Sequence, residues 1–163
     1  MATRNVNANV AAGKLGAPVK VVGADTITLV LTFETAATDA AADVLVLAKG
    51  LSPRLVPVKI EINNDAIAGA SDIDLGLYDS DTGVVADADC FADGMNLSGA
   101  HAMGSELSGL SALGIDDIGD TLQEIIGDTN KSRPSGYDLC LTLNSEVTAA
   151  GTVSVRATFA QGL

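Results

Sequence analysis

Five aspartates, Asp79, Asp81, Asp87, Asp89 and Asp93, fall in one short stretch of the chain. Clustered carboxylates are what a calcium ion takes as ligands. The spacing departs from the 12-residue calcium loop, however. With Asp79 in first place, Gly83 and Val84 occupy the fifth and sixth positions, and Cys90 stands where the closing Glu belongs. On one strand face Asp87 and Asp89 could also pair as glycosidase carboxylates do. A sugar would then lack stacking platforms, since the chain has no Trp and only two Tyr. His101, the single histidine, lies in a different element from Cys90. A Cys/His pair needs a third orienting group and an oxyanion hole, and neither is signalled. No dinucleotide fingerprint, phosphate loop or Cys-x-x-Cys occurs. The expected reading is a hairpin turn followed by a solvated strand face, a surface histidine in a flexible loop, and reduced buried thiols at Cys90 and Cys140, with a disulfide left open. No catalytic residue, metal or cofactor is expected.

The elements around these residues are strands. Ile27, Leu29, Leu31 and Phe33 alternate with polar neighbours, as do Val56, Val58, Ile60 and Ile62, then Ile73, Leu75 and Leu77. Leu139, Leu141 and Leu143 repeat the pattern, followed by Val153, Val155, Ala157 and Phe159. Period-two alternation marks strands with one buried face, whereas the aliphatic run 43–48 suits burial on both. Weaker strands are expected near Val84 and Phe91. Pro57 places its strand at an edge or a bulge. Asx and glycine turn chemistry falls at 63–65, 79–83 and 149–151. The spacing of Ile115, Ile118, Leu122, Ile125 and Ile126 predicts one helix, with Asp116 and Asp117 at its positive end and Gly127 closing it. Asp128 to Gly136 reads as an exposed loop carrying Lys131 and Arg133. Glycines at 94, 99, 104, 109, 114 and 119 recur every five residues, a period of neither helix nor strand. They read as a glycine-hinged surface excursion. The fold class expected is all-β: a two-sheet sandwich with one short helix.

Charge divides the chain. Residues 1–24 contain Arg4, Lys14 and Lys20 and no acid, while all 21 Asp and Glu follow from Asp25 onward. The domain reading is an N-terminal arm over 1–24 and a body over 25–163 with the excursion at about 94–119. The arm, poor in bulky apolar residues, is expected to be disordered alone and ordered on a neighbour. Arg4, Lys14 and Lys20 are the candidate contact residues of this cationic arm against an acidic surface. A net charge of −12 excludes nucleic acid as a direct ligand. The longest strongly apolar stretch is too short to span a membrane, and the first residues lack the apolar stretch of a signal peptide. A single domain of this length buries roughly two-thirds of its unfolded surface. With five aromatics in the chain, its core must be aliphatic.

In order along the chain stand Ala42-Asp43-Val44-Leu45-Val46-Leu47-Ala48-Lys49-Gly50-Leu51, Asp72-Ile73-Asp74-Leu75-Gly76-Leu77-Tyr78-Asp79, the acidic segment from Val84 to Gly94, then Tyr137-Asp138-Leu139 and Ala150-Gly151-Thr152-Val153-Ser154-Val155. This layout, covering most of residues 40–160, resembles the decoration or cement proteins of tailed-bacteriophage heads. The glycine pentads have no counterpart in that pattern. The resemblance implies a jelly-roll-like sandwich, without catalytic residues, that forms a homotrimer and binds the major capsid protein on the outside of an icosahedral shell. It implies a protein made in the host cytoplasm and carried on the virion exterior, bracing capsomers against packaged DNA. Rival readings are another virion subunit of tail, fibre or baseplate, and a carbohydrate-binding sandwich module, which the scarce aromatics disfavour.

Overall fold

The computed structural model describes residues 3–5, 19–22, 26–129 and 135–161. Among these residues ten strands follow in order: β1 Thr3–Asn5, β2 Val19–Val22, β3 Thr26–Glu34, β4 Val44–Leu51, β5 Leu55–Asn64, β6 Ile73–Asp79, β7 Val85–Met95, β8 Leu107–Ser108, β9 Tyr137–Leu143 and β10 Thr152–Gln161. They form two five-stranded sheets, ordered β1-β4-β9-β6-β7 and β2-β3-β10-β5-β8. Every pairing is antiparallel except β1 with β4.

The order has a simple origin. β3 pairs with β10, β4 with β9, β5 with β8 and β6 with β7. The chain from 26 to 161 is thus one long hairpin whose tip is the turn after Asp79, and wrapping that hairpin brings β10 beside β5 and β6 beside β9. This is the jelly-roll path, which folds one ribbon into two facing sheets.

Alternating residues fill the space between the sheets. Phe33, Ile60, Ile62, Ile73, Leu75, Leu77, Phe91, Tyr137 and Phe159 are all fully buried there. Burial of each such side chain contributes roughly 1.5–3 kcal/mol. β4 is buried on both faces: Leu45 and Leu47 join the inter-sheet core, while Val44 and Val46 lie with Tyr78 and Cys140 in a second cluster.

Two departures from simple periodicity have local causes. Thr158 stands opposite Lys59 but Phe159 opposite Pro57, so Val58 is the extra residue of a bulge and is 54% exposed. Pro57 therefore marks a bulge, on a stretch of β5 that β8, pairing only at Glu61 and Ile62, does not cover. The predicted helix is also divided. Ile115–Asp117 form a 3₁₀ turn, Gly119 takes φ +97°, and α1 covers only Leu122–Ile125. A left-handed backbone at Gly119 ends helical winding, so Ile115 and Ile118 stay on the surface while Leu122 is buried. Thr121 and Glu124 form the capping box that starts α1.

Candidate functional site

The sequence's chemical candidates do not converge. Asp79 Oδ1 accepts hydrogen bonds from the Asp81 and Thr82 amides and the Thr82 hydroxyl, which holds the tip turn closed. Asp87 accepts from the Asp89 amide at 3.3 Å. Desolvation first, and then the neighbouring Asp89 carboxyl, raise its pKa above the usual carboxylate range. Among the described residues no three His, Cys, Asp or Glu side chains gather as metal ligands. Cys90 and Cys140 are free thiols on opposite faces of their sheet, one packed against the inter-sheet core and the other in the second cluster. Burial pushes both thiols up, that of Cys140 to about 12, so neither is a thiolate nucleophile. Among the described residues, no helix is long and apolar enough to cross a membrane.

His101 is not the surface histidine of a flexible loop. It is half-buried and forms an isolated bridge with Asn64, with backbone hydrogen bonds of 2.9 and 3.0 Å. Its ring Nδ1 lies 2.9 Å from Asn64 Oδ1. Asn64 is itself buried, and its NH2 donates to the carbonyls of Asp65, Leu97 and Gly99. One side chain thus ties the start of the excursion to the end of β5. Further along, Gly109 N–H donates to Ile60 O and Ala112 N–H to Phe91 O, while Leu107, Leu110 and Leu113 pack on the core. The excursion is a strap joining β5 of one sheet to β7 of the other. Its glycines share no conformation: Gly94, Gly104 and Gly119 have positive φ and the other three do not, so the five-residue recurrence is not a structural repeat.

The opposite lateral edge carries the leading segment. β1 extends the first sheet beside β4 and β2 extends the second beside β3. Arg4 stands opposite Leu45 and Lys20 opposite Leu29, so two of the three candidate contact residues lie on outermost strands. Lys14 falls outside the described residues, as do Lys131 and Arg133. An outermost strand exposes unpaired backbone groups, and on this side of β3 they are paired by β2 of the same chain. The remaining described cations are mostly engaged. Glu61 accepts from both Lys59 and Arg156, at 2.6 and 2.7 Å, and these bonds, Lys59 first, hold its pKa below the usual range. Lys49 pairs with the buried Asp138 at 3.4 Å.

What this geometry presents is two strand edges, a strapped flank and an acidic exterior. The fold recurs in known structures. A chain of the capsid of Ralstonia phage GP4 superimposes with a TM-score of 0.57 at 14% identity, covering 90% of both chains. A chain of the cyanophage Pam1 capsid asymmetric unit does so with a TM-score of 0.52 at 17% identity, covering 90% of this chain and 92% of that one. What is shared at these identities is the fold. No protein-family model and no curated protein matches the sequence.

Proposed function

We propose that this chain is a structural, non-enzymatic component of a tailed-phage head, binding the outside of the icosahedral shell as a homotrimer and stabilising it. The observation that carries the reading is a jelly roll like that of two phage-capsid chains over nine-tenths of its length. That likeness favours the head over tail, fibre or baseplate. The charge division supports an assembly role: a cationic leading segment reaches the outer strands of a body that holds every acid. The major capsid protein is the partner in this reading, with Arg4, Lys14 and Lys20 as contact residues and neither nucleic acid nor membrane as ligand.

A bound protein strengthens a shell only as far as it prefers assembled sites to free subunits, and many weak contacts add through effective concentration. Exposed ion pairs contribute roughly 0–1 kcal/mol each, so attachment rests on apolar and main-chain contacts, with modest salt dependence. Particles lacking the chain are expected to assemble but to release DNA at a lower temperature or a milder osmotic challenge. Deleting residues 2–24 is expected to reproduce much of that loss, by removing β1, β2 and the three cations together. Asp87→Asn, on the far strand of the first sheet, leaves endurance unchanged. Equal endurance of complete and depleted particles sinks the bracing role.

A further inference from the structure

A cleft of about 450 Å³ opens between the sheets where β3 faces β4, lined by the apolar Ile27, Leu29, Ala48, Leu51 and Leu55 together with Lys49, Ser52, Arg54 and Gln161. A second, apolar slot of about 120 Å³ shares Leu29, Ala48 and Lys49 with it and is lined further by Leu31, Leu47, Leu139, Val155 and Ala157. The opening has a backbone cause: the β4–β9 ladder slips at Val46/Ala48 and again at Ala48/Leu51, and such irregularities bend a strand away from its neighbours. Protein interiors are otherwise packed to the density of organic crystals, so an apolar gap open to the surface is a seat for another apolar group. Lys49 is held by Asp138, and Lys59 and Arg156 by Glu61, whereas Arg54 is exposed and, among the described residues, pairs with no acid.

The same chain carries a matching protrusion. In the turn 115–118, Ile115 is 84% exposed and Ile118 76%, and the exposed Asp116 lies between them. The turn is fixed in shape, because Gly114 N–H donates to the Asp117 carboxylate at 2.9 Å. Two large aliphatic side chains exposed three residues apart on one fixed turn form an apolar knob, and it is grouped rather than single exposed apolar residues that mark contact surfaces.

We infer that the Ile115–Ile118 turn of one copy seats its isoleucines in the β3/β4 cleft of a second copy, with Asp116 meeting Arg54. Charge complementarity selects this occupant: an exposed cation with no acid beside it among the described residues lines the cleft, in a chain of net charge −12, and the aliphatic turn carries an acid. The two features are different patches, so the contact is head-to-tail and a closed ring is one of its outcomes. It names the surfaces for the self-association in the proposed function, yet depends only on residues of this chain.

The test is light scattering and analytical ultracentrifugation of the full chain across micromolar concentrations. Ile115→Asp with Ile118→Asp is expected to weaken association about tenfold or more, leaving the thermal transition of the monomer in place because both residues are exposed. Met103→Asp, at an equally exposed methionine, serves as the unchanged control. Arg54→Glu and Asp116→Arg each weaken association, and the two together restore it. A wild-type chain that stays monomeric, association indifferent to the isoleucine changes, or a charge swap without rescue overturns the contact. Intact self-association alongside failed particle bracing counts against the proposed function alone.

Discussion

Gly76→Ala is expected to destabilise the fold by roughly 4 kcal/mol or more, among the largest effects of any single methyl group in this chain. Gly76 sits in the middle of β6, opposite Cys140 of β9. On its other side the β6–β7 ladder slips: Leu75 stands opposite Ala92 but Leu77 opposite Asp87. β7 spends more residues than β6 on the same step, and the surplus is folded against Gly76. A Cβ there would lie 2.2 Å from Asp87 O and 2.3 Å from the Ala88 carbonyl carbon. Both are backbone atoms, so no rotamer change relieves the clash. The strands must part, or the bulge must unwind. Gly83→Ala is the informative comparison: its φ is +68° but nothing lies within 4 Å, so only the left-handed penalty of about 1–2 kcal/mol applies. Urea unfolding of both variants measures the difference. A Gly76→Ala protein within about 1 kcal/mol of wild type contradicts this approach of β7 to β6.

Asn64→Ala is expected to lower stability by roughly 3 kcal/mol and to loosen the strap. The carbonyl of Gly99 loses its Asn64 donor, that of Leu97 keeps only the Ile67 amide, and His101 loses the oxygen facing its ring. Removing one partner of buried hydrogen bonds leaves the other desolvated, which is the expensive direction. Asn64→Asp is expected to be worse, since it sets a carboxylate against three carbonyl oxygens. Amide exchange should rise across residues 96–113 before it rises in β6 or β9. Uniform loss of protection over both sheets, or none, refutes Asn64 as the local tie.

The strands were legible because each has one buried face, and period two reports that face directly. β4 was legible for the opposite reason: Val44 to Leu47 contact apolar groups on both sides. Legibility failed where a single residue resets the pattern. Val58 continues the alternation on paper, but the bulge beside Pro57 turns it outward. The isoleucines at 115 and 118 keep helical spacing with Leu122, but Gly119 breaks the winding, and the spacing misled because it ignores φ. By sequence alone Asn64 is a turn residue and His101 a surface one. Their partnership spans a strap of irregular backbone, for which sequence carries no period, although an Asn at the end of a long apolar strand was a signal available. β1 and β2 lie within the segment 1–24, whose composition carries no strand signal, since short edge strands gain their order from the neighbour they pair with. The β3/β4 cleft had no signature at all, because register slips between β4 and β9 are tertiary events.

In the proposed function the chain sits on the outside of a phage head. Cryo-electron microscopy of particles made with and without it, at equal DNA content, distinguishes that position from any other. Sandwich-sized density is expected on the outer surface of the shell, present only in complete particles, over an unchanged underlying lattice. Identical heads in the two samples, or a difference confined to the tail, would contradict it.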